Sequence, residues 1–299
     1  CPFTFILPFF FMALVTEMKE IFTMKYREII FVFLIFYTEI SKADTTNIKD
    51  LNLANDYSQV DLYTGTNEKN ITEIAKVYQA SLVYIFDKQL LINNQKKNKN
   101  VLFGQPFINN VKRTYKGMFN QPFPQSTNRH VGNLLTLMML VMEDNRTLLL
   151  DDGISFKGFI PAIFAFQLSQ KFKERGVGLN IKFTNFEERV RNKLNSPDHW
   201  EEGALAKLKD GRVDEVFDEG VSFKGQDAYR YMKAVKMSPM CLSCHGIPQD
   251  NPANKGVRKE QWHLKDKTGF LMEGWTLDEL GGGISVVLYK GKHNVYKEK

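Results

Sequence analysis

"GLNIKFTN", residues 178–185, is where the chain changes character. From Leu179 to Thr184 apolar and polar side chains alternate, the two-residue period of a strand with one buried face. Upstream, the apolar spacing is helical. From Glu73 to about Asn94, Ile74, Val77, Tyr78, Leu82, Ile85 and Phe86 recur at steps that predict a long amphipathic helix, broken by the charged stretch "NNQKKNKN" (93–100). A second break, "FNQPFPQSTN" (119–128), carries Pro122 and Pro124, and Ser126 or Thr127 is placed to cap a helix through "RHVGNLLTLMMLVMEDNRTLLL" (129–150). The turn "DDGISFKG" leads to a third helix, 159–176, with Pro161 in its first turn and Gly176 as its stop. Downstream, "SPDHWEEGALAKLKDGR" (196–212) reads as a capped helix with Pro197 just inside its start. "VDEVFDEG" and "DAYRYMKAVKM" read as paired strands around a turn at 220–226, and "GGISVVLYKG" as the last strand, with Gly281, Gly282 and Gly283 as its hairpin lead-in. Helices first, then an antiparallel sheet with one helix inserted, define an α+β protein.

The 299 residues, 43% of them hydrophobic, suffice for a globular core. The net charge of +6 comes from 40 basic residues scattered among 34 acidic ones, with no long basic block, so nucleic acid is not read as a partner. "MKYREIIFVFLIFYTEISKADTT" (24–46) has the order of a secretory signal. Lys25 and Arg27 precede an apolar run from Ile29 to Tyr37, too short to span a bilayer comfortably, and Ser41-Lys42-Ala43 supplies small residues at the cleavage positions. Cleavage after Ala43 starts the mature chain at Asp44 and places it in the periplasm. Residues 1–23 hold another apolar run, read as upstream sequence, with a membrane anchor as the alternative. The expected organisation is thus an upstream apolar segment and signal (1–43), a lead-in and long helix (44–128), and a third region (129–299).

Once Cys1 is removed, both remaining cysteines lie in "SPMCLSCHGIPQD", residues 238–250. A disulfide across Leu242-Ser243 would close a small ring of little value to a domain this size, so chemistry is the better reason for them. Covalent haem attachment needs two thiols to add across two vinyl groups and an imidazole to reach the iron from the same face. Cys241, Cys244 and His245 supply that set. Three alternatives stand beside it. A zinc site needs four ligands, and His130, His199, His263 and His293 form no matching pair. A redox dithiol belongs at a strand-to-helix junction of a βαβ unit. Chance is the third.

"SFKGFIPAIFAFQLSQKFKERGVGLNIKFT", "VRNKLNSPDHWEEGALAKLK", "YRYMKAVKMSPMCLSCHG" and "DELGGGISVVLY" together resemble the family of PAS-like c-type haem domains of cyanobacteria and other bacteria, with its F-K-x-x-x-P, R-N-x-x-N-x-P-x-x-W-E and C-L-x-C-H-G patterns. The resemblance runs over residues 129 to 290. It implies a PAS-like antiparallel sheet flanked by helices and preceded by an N-terminal helical region. It also implies one haem c on Cys241 and Cys244, with His245 as an axial ligand. Relatives carry a cysteine, the second axial ligand, where this chain has Ile160, so another group must fill that position. Met138 and Met139 are the preferred candidates, beside His130, Met142, Met232, Met237, Met240 and water, although a core role is the commoner one for each methionine. Arg191, Lys193 and Arg230 are candidates for the haem propionates, each more commonly a surface residue, and Trp200 and Glu201 for packing and capping the helix after Pro197. A one-electron carrier or redox subunit working with a redox partner protein is expected, with a haem-based redox or gas sensor signalling to a membrane protein as the alternative. No acid-base set of an enzyme is legible. Homodimerisation, and membrane association through residues 1–43 if they are retained, complete the expected partners.

Overall fold

A computed structural model describes residues 67–124 and 128–290. The signal, the segment upstream of it, the candidate caps Ser126 and Thr127, and His293 lie outside the described residues. The described residues form eight helices and one four-stranded antiparallel sheet, an α+β fold.

The first helix, α1 (Asn67–Asp87), buries Ile71, Ile74, Ala75, Val77, Tyr78, Ala80, Ser81, Tyr84 and Ile85. That set is wider than one amphipathic stripe, and two-sided packing is the reason. On one side α1 meets α3 (Gly104–Phe119), α4 (Arg129–Asp144) and α6 (Pro161–Arg175); on the other it meets strands β3 (Gln226–Lys236) and β4 (Leu280–Tyr289). The remaining short helices are α2 (Gln89–Ile92) and α5 (Arg146–Leu150). Helix α3 had no counterpart in the sequence reading. Phe107 on it is fully buried, edge-on to Tyr84 of α1 at 5.5 Å and to Phe164 of α6 at 6.3 Å.

Two helix starts differ from the sequence reading. Asn128 caps α4, its side chain accepting from the backbone N–H groups of His130 and Val131. Asp198 caps α7 (His199–Lys209) in a reciprocal box with Glu201, which leaves Pro197 just outside the helix rather than inside it. Helix α6 begins at Pro161 and stops at Gly176, which adopts the left-handed conformation.

The sheet order is β1-β4-β3-β2, with β1 at Leu179–Thr184 and β2 at Glu215–Phe223, and every pairing is antiparallel. The last strand therefore slots between the first and the third. β4 is buried from Gly281 to Tyr289, because α1 covers β3 and β4 while Ala204, Leu205 and Leu208 of α7 pack with Val216 and Met232. The β2–β3 turn is tighter than expected: Lys224 and Gly225 make it, both at positive φ, and Gly220 marks a bulge between Glu219 and Val221. Gly281 and Gly283 belong to β4 itself rather than to a hairpin lead-in. A Cβ at Gly281 would lie 2.7 Å from the Met237 methyl, and one at Gly283 2.6 Å from the Met232 sulfur. Both methionines fill the space those glycines leave.

Candidate functional site

β3 runs directly into the C-x-x-C-H segment. The Met237 N–H donates to Glu279 O (2.8 Å) and the Asp278 N–H returns to Met237 O (2.9 Å), fixing the chain one residue before Ser238. Ser238 is extended, Pro239 opens a seven-residue helix, α8 (Pro239–His245), and Gly246 closes it. Gly246 has no room for a side chain: a Cβ would run into the Asp250 carboxylate and stand 2.7 Å from Leu242 O. Cys241 and Cys244, three apart on this helix, share one face; both thiols are free and both residues partly exposed. Ser238 Oγ lies 3.3 Å from Cys241 Sγ, and Ser243 donates to Met240 O at 2.8 Å. Burial, aided by the charge of Asp266, raises the Cys244 thiol pKa against the opposing pull of Ser243 and Arg191. Among the described residues no group of three or more His, Cys, Asp or Glu is gathered to hold a metal ion.

His245 is held on three sides. Its Nδ1 lies 3.0 Å from Glu273 Oε2, and its ring stacks on Trp275 at 4.9 Å and 11°. The backbone joins in, with Trp275 N–H donating to His245 O (2.9 Å) and Gly274 N–H to Gly246 O (3.0 Å). Glu273 is gripped by the Arg191 fork, Nε to Oε1 at 2.6 Å and Nη2 to Oε2 at 2.8 Å. The same guanidinium donates to Asp266 Oδ2 at 2.7 Å and to Cys244 O at 3.2 Å. Burial opposes the charge on Glu273, but the hydrogen bonds from His245 and Arg191 outweigh it and bring the carboxyl to about 2. Glu273 is therefore an acceptor at neutral pH. In the neutral imidazole Nδ1 must carry the proton, and Nε2 keeps its lone pair.

The stretch that follows has an inverted construction. From Gly246 to Asp278 the buried side chains are Asn251, Asn254, Asp266 and Trp275. Asn254 donates to Pro248 O and His263 O and accepts from His263 N; Asp266 accepts from Thr268, Phe270 and Arg191. Meanwhile Ile247, Leu264, Phe270, Leu271 and Leu277 face outward, Leu271 with 62% of its surface exposed.

Apart from Met237, which stands directly before Ser238, the other sequence candidates make their contacts in other parts of the fold. Met138 and Met142 are fully buried and Met139 partly so, all on α4, which packs on α1, α3 and α6. His130 is buried at the start of α4, where burial and then the Arg129 charge lower its pKa to about 4. Met232 and Met237 fill space against β4. Arg230 is 2% exposed, pairs with Asp198 (2.8 Å) and lies over the Trp200 ring at 4.4 Å, and Lys193 pairs with Glu187. Trp200 and Glu201 do pack and cap α7: the indole donates to Asp218 (2.8 Å) and Glu201 bridges Lys182 (2.9 Å). Trp200, Asp218 and Arg230 line an open cavity of about 660 Å³ that includes no residue of α8. Lys157, of the F-K-x-x-x-P start, is buried with its ammonium on the carbonyls of Asp151 and Ile154. Glu273, Asp266, Trp275 and Arg189, whose guanidinium lies 5.2 Å from the Trp275 ring centre, were missed by sequence reasoning. They stand far from His245 in sequence and form no local pattern with it; the Glu-Gly-Trp run at 273–275 was the available signal.

An α+β domain whose sheet delivers a C-x-x-C-H helical turn into a polar-cored loop is the class that fold and site define. The Tll0287-like family model matches residues 67–288, and the chain belongs to that family. The match takes in α1 to α3, upstream of the stretch whose motifs carry the resemblance. Among solved structures, one titled as the crystal structure of the cyanobacterial heme-protein Tll0287 is similar at 17% identity, over 55% of this chain and 97% of that one, with a TM-score of 0.29. No curated protein matches.

Proposed function

We propose that this chain is an exported monohaem c-type cytochrome of PAS-like fold, acting as a one-electron carrier or redox subunit for a separate redox partner protein. The observation that carries it is the placement of two free, part-exposed thiols on one face of the turn that ends in a tethered histidine. Membership of a family named after a protein described as a haem protein supports the same reading. In this assignment Cys241 and Cys244 would hold the porphyrin, each adding its S–H across one vinyl group with no net oxidation. His245 Nε2 would be the nitrogen offered to the iron. Bound there, the haem supplies the Fe(III)/Fe(II) couple. The chain holds the imidazole at fixed tautomer and angle through Glu273 and Trp275, and the exposed Ile247, Leu264, Phe270 and Leu271 of the same loop would offer apolar surface to such a group. The donor set fits the group, because the imidazole nitrogen left free by Glu273 is the one a ligand needs.

Met138 and Met139 remain the assigned candidates for the second axial position. A haem-based redox or gas sensor, signalling to a membrane protein, is the second reading. It is favoured by the complete burial of Met138, which would keep that methionine from an iron if its packing is retained. The apolar run and signal at 1–43 support export to the periplasm, with a membrane anchor as the variant if they are retained. No helix of the described residues is long and apolar enough to cross a membrane.

The test is expression with the haem-c maturation machinery, followed by a haem-stained denaturing gel and carbon monoxide difference spectra. Wild type should carry covalent haem and both Cys241→Ala and Cys244→Ala should lose it; a full covalent signal in both variants overturns the assignment. A reduced spectrum that ignores carbon monoxide supports the carrier, and ready binding supports the sensor.

A further inference from the structure

Three features around His245 combine in a way that simple packing does not require. Its Nδ1 faces a carboxylate at 3.0 Å rather than a backbone carbonyl, the ring plane is set by the Trp275 stack, and the carboxylate is immobilised by a two-point arginine fork. The fork belongs to Arg191, which also holds the carbonyl of Cys244, the residue immediately before His245. One side chain thus fixes the separation between the imidazole and its acceptor from both ends. A second arginine, Arg189, lies over the other partner of the ring, Trp275, and pairs with Glu279 at 2.8 Å.

We propose that Glu273 is a positioning residue that tunes the iron through His245: by accepting the Nδ1 hydrogen bond it gives the ring partial imidazolate character, strengthens Nε2 as a donor and favours the ferric state. The physical basis is that a carboxylate partner raises the basicity of a ligating imidazole more than a neutral acceptor does, and a more basic ligand stabilises the higher oxidation state. Arg191 moderates the effect by sharing the carboxylate's charge, while its grip keeps the hydrogen bond from exchanging with water. This inference rests on the haem reading above and adds a lever to it.

The experiment measures the midpoint potential of haem-loaded wild type, Glu273→Gln, Glu273→Asp and Glu279→Gln, after a haem-stained gel has verified covalent loading of each. Glu273→Gln keeps a hydrogen-bond acceptor and removes the charge. Its Fe(III)/Fe(II) equilibrium should move at least tenfold toward the ferrous form, equivalent to about 59 mV for one electron. Glu273→Asp retains the charge but retracts it by one methylene, and should fall between wild type and Glu273→Gln. Glu279→Gln breaks the neighbouring ion pair without touching His245 and should leave the potential in place. A purely structural role for Glu273 predicts equal potentials in every loaded variant, and that result overturns the proposal. If Glu273→Gln fails to fold, the Asp variant alone decides: a wild-type potential overturns the proposal and a shift toward the ferrous form supports it. Wild type without covalent haem would instead sink the haem reading, so the two failures are distinguishable.

Discussion

On α1 the buried side chains are mostly carbon, Ile71, Ile74, Val77, Tyr78, Tyr84 and Ile85 among them beside Asn70 and Ser81, whereas between Gly246 and Asp278 they are Asn251, Asn254, Asp266 and Trp275. The helical layer excludes water from carbon; the loop folds around amide and carboxylate hydrogen bonds and, Trp275 apart, turns most of its large apolar side chains outward. The difference teaches where each region's information lies. A carbon core repeats every three or four residues and tolerates exchange of similar side chains. A polar core depends on single atoms whose partners are distant in sequence, and each loss leaves a buried group unsatisfied. The loop that follows His245 is thus specified by few residues.

The largest effect that would test this contrast is in the carbon core. Phe107→Ala removes a ring that touches α1 and α6 at once. The loss should be about 3–5 kcal/mol. At 2–4 °C per kcal/mol that is a fall of about 10 °C in Tm, read by calorimetry. A fall below about 2 °C would mean that the helical layer repacks around the void and is not the rigid half of the comparison.

Arg191→Met attacks the polar half. It strips Asp266, whose side chain is fully buried, and Glu273 of their cation. The cost should be about 3 kcal/mol, the lower end for removing one partner of a buried pair. It should be local. Native-state hydrogen exchange ought to show lost protection at Phe270, Gly274 and Trp275 with the β4 amides unchanged. Equal loss at β4 would merge the two regions into one cooperative unit and break the comparison.

The helical layer has its own polar liability in His130. Burial lowers its folded-state pKa to about 4 from the ordinary 6.5. The unfolded chain therefore binds a proton below pH 6.5 that the folded chain refuses until about pH 4, and stability falls across that window and not above it. The difference amounts to about 3 kcal/mol. Denaturant titrations of wild type and His130→Gln between pH 7 and 4 should diverge by that amount, with the variant flatter. Parallel curves would show that water reaches the imidazole.

How much was legible beforehand follows the same division. Helix α6 was readable from Pro161 to Gly176, and β1 from the alternation at Leu179–Thr184, because period and punctuation agree there. Helix α3 was missed although Phe107, Ile108, Val111 and Tyr115 keep helical spacing; Gly104 and Pro106 at its start and the loop-forming stretches on either side masked it. The start of α7 was misjudged by two residues because a proline beside an acidic cap fits either side of the boundary. At the site, C-x-x-C-H was visible because all three groups fit on one helical turn. Arg191 was singled out, but for a propionate; its contacts to Glu273 and Asp266 span 82 and 75 residues, and no local pattern encodes a pairing of that reach.

The smallest effect sets two asparagines against each other. Asn128 caps α4 through two backbone N–H groups, and its amide reaches Glu73 at 3.2 Å on α1. Water can replace most of that at a helix end, so Asn128→Ala should cost about 1 kcal/mol. Asn254 makes three bonds to backbone atoms of Pro248 and His263, and its loss should cost about 2–3 kcal/mol, since the exposed carbonyls and amide lie inside the loop. Urea titrations of the two variants, with the m-value held as a check on two-state behaviour, give the ratio directly. A ratio near one would mean that the loop interior is already wet, and that its asparagines act as caps do rather than as the core of a fold.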